Sequence, residues 1–111
     1  MIKILLACGA GCSSGLIAQS MKKYAKKRGI EYAIKAIGDP DIFNCVADYD
    51  VLMLGPHLAY NLPSIEKYIT EKNLTVIVKI IDRENYSMLD GEAVFKEALR
   101  LFEEKKESKL C

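Results

Sequence analysis

Cys8 is the residue of this chain best placed to do chemistry. It closes the apolar run Ile2-Lys3-Ile4-Leu5-Leu6-Ala7 and stands directly before Gly9-Ala10-Gly11-Cys12-Ser13-Ser14-Gly15. Small, flexible residues of that kind suit a tight turn, and Ser13 or Ser14 suits the cap of a following helix. A strand end, a glycine-rich loop and a helix start aim several backbone N–H groups and the positive end of a helix dipole at one spot. The same field favours thiolate over thiol, which holds the sulfur's titration below that of an ordinary cysteine. A nucleophile and an anion cradle then coincide. That combination suits transfer of a phosphoryl group onto sulfur, with the loop amides holding the phosphate oxygens. The competing reading makes Cys8 a small buried residue at a strand end, and spacing alone leaves both open. Gly9 and Gly11 fit neither the GxGxxG of dinucleotide sites nor the GxxxxGK[ST] of nucleotide-binding loops.

The other candidates are fewer. His57 is the sole histidine and follows Leu54-Gly55-Pro56, where it is either a polar residue at a helix entrance or a local electrostatic partner of the Cys8 loop. Tyr60, close behind, either covers that pocket or packs. Cys12 stands four positions from Cys8, but C-x-x-C spacing is missing and no second close Cys/His pair accompanies them, so the sequence points to no metal and no cofactor. Cys45 reads as a core residue and Cys111 as a terminal one. Lys22, Lys23, Lys26, Lys27 and Arg28 read as the solvated face of a helix.

The elements that must position these residues follow from periodicity. Ile2 to Ala7 is apolar without alternation, the pattern of a central strand covered on both faces. Leu16, Ile17, Met21, Tyr24 and Ala25 recur at helical spacing from about Gly15 to Arg28, and Gly29 ends that helix. Glu31 to Ile37 is a second strand before Gly38-Asp39-Pro40, and a short helix covers Asp41 to Ala47. Asp50 to Leu54 is a third strand, stopped by Gly55-Pro56. A helix from about Leu58 to Glu71 has to accommodate Pro63 near its start or kink there. Leu74 to Ile81 is the most β-branched stretch and makes a fourth strand. A loop through Asn85 and Ser87 leads to Asp90, which caps a last helix with Val94, Phe95, Ala98, Leu101 and Phe102 on one stripe. The order predicts an α/β fold: a small doubly wound, four-stranded parallel sheet with helices on both faces. Ligands of such sheets bind beyond the carboxyl ends of the strands, where Cys8 and His57 fall.

Composition narrows the function classes. The 111 residues, 50% hydrophobic and 28% charged, make one domain, with 16 Lys+Arg against 15 Asp+Glu. A net charge of +1 gives no global attraction to nucleic acid or an anionic bilayer. No apolar stretch is long enough for a membrane span, and the first residues are too short a run for a signal peptide. Irregularly spaced cysteines without an export segment point to a reducing cytoplasm.

Two segments, Leu6-Ala7-Cys8-Gly9-Ala10-Gly11-Cys12-Ser13-Ser14 and Leu54-Gly55-Pro56-His57-Leu58-Ala59-Tyr60, resemble the EIIB component of the phosphotransferase sugar-uptake system, lactose/cellobiose/chitobiose family. The resemblance covers residues 1–104 and leaves 105–111 as a C-terminal tail. It implies a cytoplasmic protein whose cysteine accepts phosphate from a phosphohistidine of the EIIA partner. The phosphate then passes to a sugar carried in by the EIIC membrane component, a β-linked disaccharide such as cellobiose, lactose or chitobiose. Cys8 matches the family's phosphorylated cysteine, and Gly9, Ala10, Gly11, Cys12, Ser13 and Ser14 match its phosphate-holding loop. Two positions depart from the pattern: relatives often carry methionine at Cys12 and glutamine at His57. Two alternatives remain. One is a low-molecular-weight cysteine phosphatase-like enzyme, against which stands Ser14 where its C-x₅-R loop needs arginine, with Asp82 as the one candidate acid. The other is a non-catalytic, anion-binding regulatory module.

Overall fold

The computed structural model describes residues 1–9 and 12–110, without the side chains of residues 12, 13 and 108–110. Among the described residues, β1 (Ile2–Cys8), β2 (Tyr32–Gly38), β3 (Val51–Leu54) and β4 (Ile77–Ile80) form one parallel sheet in the order β2-β1-β3-β4. The chain leaves β1 toward β2 and later returns to the other side of β1 with β3. The crevice at such a reversal, beyond the carboxyl ends of β1 and β3, is where open α/β sheets bind ligands.

The two central strands, β1 and β3, bury both faces, which explains their unbroken apolar runs, while Lys35 of β2 and Lys79 of β4 are exposed at the edges. Ile4, Leu6 and Met53 pack under α1 (Cys12–Lys27) and α5 (Gly91–Leu110) with Ile17, Met21, Val94, Phe95 and Ala98. Leu5, Ala7, Leu52 and Leu54 face the other way, against Ile42 of α2 (Ile42–Cys45) and Ile65 of α3 (Leu62–Glu71). Gly91 opens α5 against the middle of α1, where a Cβ would lie 2.6 Å from the Met21 amide nitrogen and 2.5 Å from Ser20 Cβ. α1 ends as Gly29 predicts: at φ +69° it turns the chain, and the amides of Gly29 and Ile30 bond back to the carbonyls of Lys26 and Ala25.

Several boundaries differ from the sequence reading. α1 begins at Cys12 and not Gly15, so Ser13 and Ser14 lie within its first turn and neither is its cap. The expected helix over Asp41 to Ala47 is broken into a 3-10 turn at Asp39–Asp41, α2, and a second turn at Val46–Asp48. The helix expected from Leu58 divides into a 3-10 turn, Pro56–Asn61, and α3, with Pro63 in the first turn where its missing N–H costs nothing. β4 is shorter than its β-branched run, because its pairing with β3 extends only from Val51 opposite Ile77 to Leu54 opposite Ile80. The loop expected after β4 contains α4 (Arg83–Ser87), capped by Asp82, whose Oδ1 accepts from the amides of Glu84 and Asn85 at 3.0 and 3.4 Å. A helix of that length is too short to show a period. Asp90 caps α5 as expected, its Oδ1 accepting from the Ala93 amide at 3.0 Å.

At the amino-terminal edge of the sheet, Met1, Asp50, Thr75, Phe102, Lys105 and Lys106 line a hollow of about 260 Å³. The exposed Lys22, Lys23, Lys26, Lys27 and Arg28 lie toward this end of α1, complementing its dipole and far from the Cys8 turn.

Candidate functional site

Cys8 is the last residue of β1 and is 3% exposed. Ala7 just before it is held on both sides, by register with Ile37 of β2 and Leu54 of β3. The chain re-enters regular structure at Cys12, where α1 opens. Ala10, Gly11 and the side chains of Cys12 and Ser13 lie outside the described residues, as does Cys111. Ser14 is described and unusual: it is fully buried, and its Oγ has no hydrogen-bond partner. Native proteins seldom leave a buried hydroxyl unpaired, and such a group marks a place where a ligand, an ion or a bound water can satisfy it. Cys45 is half-buried at the end of α2, on the side of the sheet away from α1.

His57 lies beside the Cys8 turn. The backbone N–H of Gly9 donates to His57 Nε2 at 2.9 Å, across 48 residues of sequence. Gly55 makes the approach possible, whereas a Cβ at Gly9 would make only an ordinary contact with the ring. A Cβ at Gly55 would stand 2.8 Å from His57 Cε1, and one at Gly9 would stand 3.5 Å from Nε2. Gly55 itself has φ −58° and ψ 146°, which any residue adopts, so glycine is needed there for space alone. The far side of the imidazole meets Tyr86 of α4, ring centroids 5.6 Å apart.

Pro56, His57, Arg83, Tyr86 and Ser87 together line a cavity of about 280 Å³ beside the Cys8 turn. Arg83, Tyr86 and Ser87 are not legible as site residues in the sequence because α4, which carries them, is too short to show a period; the Asp82 cap is the available signal. Tyr60 does not join this cavity. It is 70% exposed, and its hydroxyl donates to Asp39 Oδ2 at 3.5 Å, beside the Asn61 amide that donates to Asp39 Oδ1 at 2.6 Å. These two bonds tie the turn after β3 to the end of β2, on the opposite side from α4. A larger hollow of about 580 Å³ runs between the edge strand β4 and α5. Two of the cations that line it are engaged along the helix, Lys96 with Glu92 and Arg100 with Glu97, and the lining does not include Cys8.

The comparison with known proteins bears on what this constellation is for. Residues 3–97 match the model of the family described as "PTS system, Lactose/Cellobiose specific IIB subunit". The chain belongs to this family. It is 34% identical over 101 residues to the oligo-beta-mannoside-specific EIIB component of Bacillus subtilis (strain 168), covering 91% of this chain and 96% of that protein. Over 103 residues it is also 34% identical to the cellobiose-specific EIIB component of Lactococcus lactis subsp. lactis (strain IL1403), 88% of this chain and 94% of that protein. Among solved structures, the cellobiose-specific IIB component of Borrelia burgdorferi superposes with a TM-score of 0.76 at 33% identity, over 94% of each chain. The lactose-specific IIB domain of Streptococcus pneumoniae, at 14% identity and a TM-score of 0.78, shares the fold over 89% of this chain and 95% of that one. The protein is thus an EIIB component of the lactose/cellobiose type, a phosphotransferase component of a sugar phosphotransferase system.

Proposed function

We propose that Cys8 is the residue through which this EIIB component carries phosphate. The observation that carries the reading is the place of Cys8 at the carboxyl end of β1, in the crevice where the chain reverses direction across the sheet, with α1 opening at Cys12. The Cys8 thiolate attacks the phosphorus of a phosphohistidine on an EIIA partner. The S–P bond forms as the N–P bond breaks, and the electron pair of that bond stays on the histidine nitrogen. The proton given up by the thiol goes to solvent or to that nitrogen. Residues Gly9 to Ser14 form the cradle in which amides at the start of α1 offset the charge on the phosphoryl oxygens, and the buried Ser14 hydroxyl gains the acceptor it lacks. The phosphocysteine is then handed to a sugar brought in by an EIIC membrane component. The names of the relatives, specific for oligo-beta-mannoside and cellobiose, favour a β-linked oligosaccharide.

Two features favour a carrier over a hydrolase. Ser14 stands where a cysteine phosphatase would place its arginine. Asp82, the candidate acid, has Oδ1 committed to the amides of α4. Leu16, Tyr60 and Met88, exposed at 53%, 70% and 73%, lie on segments that follow β1, β3 and β4. They offer apolar contact around Cys8 to a docking protein. Among the described residues no helix is long and apolar enough to cross a membrane. The carrier acts from the cytoplasmic side, residues 1–104 forming the working unit and 105–111 a tail.

The test is incubation with a phosphorylated EIIA of the lactose/cellobiose type, followed by intact-mass measurement and peptide mapping at neutral to mildly alkaline pH. The expected result is one phosphate on Cys8, absent in Cys8→Ser and retained in Cys45→Ser and Cys111→Ser. Normal uptake by Cys8→Ser overturns the assignment.

A further inference from the structure

The β1–β3 ladder is closed at both ends by side chains. In a parallel pair, alternate amides of one strand donate to carbonyls of the next. At the start of β1 the Lys3 amide donates to the Asp50 carboxylate at 2.9 Å, while the Asp50 amide returns to the Lys3 carbonyl at 2.8 Å. At the other end the Gly55 amide bonds the Ala7 carbonyl at 2.9 Å. The next rung would send the Gly9 amide to the Gly55 carbonyl. That carbonyl instead accepts from the Leu58 amide at 2.9 Å as the chain turns away into the 3-10 turn. His57 Nε2 supplies the missing acceptor.

We propose that His57 is a positioning residue for the phosphate-accepting cysteine: with its proton on Nδ1, its Nε2 closes the last rung of the β1–β3 ladder on the Gly9 amide and so fixes the Cys8–Gly9 peptide plane. This rests on the reading that Cys8 takes the phosphate. The Gly9 N–H occupies the Nε2 lone pair, so a proton on that nitrogen and this hydrogen bond exclude each other. The residue is exposed, yet its ring has neighbours that set its place. It is seated over Gly55, backed by Tyr86, and carried by a turn anchored through Leu58, which is 2% exposed. Glycine following the nucleophile would otherwise leave that peptide free to rotate, since Gly9 lacks the Cβ that restricts other residues. With the plane fixed, the direction of the Cys8 side chain and the take-off of the loop into α1 are set before a donor arrives. Preorganisation of this kind raises the rate of the transfer step and leaves donor affinity nearly unchanged.

The experiment has two arms on the intact chain. Long-range proton–nitrogen NMR on unphosphorylated ¹⁵N-labelled protein should show the His57 ring as the Nδ1–H tautomer. Phosphotransfer kinetics from phospho-EIIA should show kcat lowered about fivefold to tenfold in His57→Phe, the equivalent of one hydrogen bond of about 1 kcal/mol, with KM for EIIA held within about twofold. His57→Gln should recover most of kcat, because its carboxamide oxygen can accept from the same amide. A ring protonated on Nε2, undiminished kcat in His57→Phe, or a Gln variant no better than Phe overturns the proposal. The tautomer is read without any phosphate, so it is independent of the functional reading. Failure of the wild type to take phosphate on Cys8 overturns that reading, and the proposal with it.

Discussion

Replacing Ser14 with alanine should stabilise the unphosphorylated protein, the reverse of what deleting a polar group near an active site usually does. Ser14 is fully buried within the first turn of α1, and its Oγ meets no donor or acceptor. Burying a hydroxyl without a partner costs roughly 1–3 kcal/mol, and alanine is the better helix former by up to about 0.7 kcal/mol. Removing one oxygen leaves a void smaller than a methyl group, which returns up to about 1 kcal/mol. The net expectation is a gain of about 1–2 kcal/mol. At about 4 °C per kcal/mol for a chain of this size, the melting temperature should rise by roughly 4–8 °C. Calorimetry or circular dichroism at pH 7 on the two purified proteins makes the comparison. Phosphorylation should reverse the order: if the hydroxyl donates to phosphocysteine, the alanine variant loses its phosphate faster and gains less stability from carrying it. A Ser14→Ala protein that melts at or below the wild type would falsify the account of an unpaired hydroxyl awaiting its ligand.

Gly91→Ala should lower stability by at least about 1 kcal/mol even though alanine favours helix, because the added Cβ meets the Met21 amide nitrogen at 2.6 Å and backbone cannot step aside. An unchanged melting temperature would mean that α1 and α5 separate easily. Cys8 should alkylate with a pH midpoint below about 8.5, the value of an ordinary thiol, because the start of α1 favours its anion. Iodoacetamide labelling followed at Cys8 by peptide mapping measures this, and a midpoint at or above that value refutes an organised cradle.

What could be read from the chain and what could not divides along physical lines. Ile2 to Ala7 announces a central strand because both its faces are buried, and the stripe Val94, Phe95, Ala98 announces α5 because one face of a long helix repeats. α4 is too short to repeat, so Arg83 and Tyr86 were invisible as neighbours of His57. Cys8 and His57 could be brought to one edge by topology alone, since both follow strands of a parallel sheet. Their contact could not. It depends on Leu58 taking the Gly55 carbonyl, a detail of a 3-10 turn whose residues, Pro56 to Asn61, carry no period. Ser14 misleads for a related reason: a serine near a helix start usually caps it, and here α1 starts at Cys12, which puts Ser14 inside the first turn and buried.

The hollow where Met1 meets Phe102 and Lys106 has a practical meaning. It sits across the sheet from Cys8, so a tether attached at residue 1, or on α5 near residue 106, leaves the reactive edge facing outward. A sensor chip, a bead or a neighbouring domain joined there would hold the molecule like a lamp in its socket. Any such attachment turns the edge that carries Cys8 toward an arriving donor.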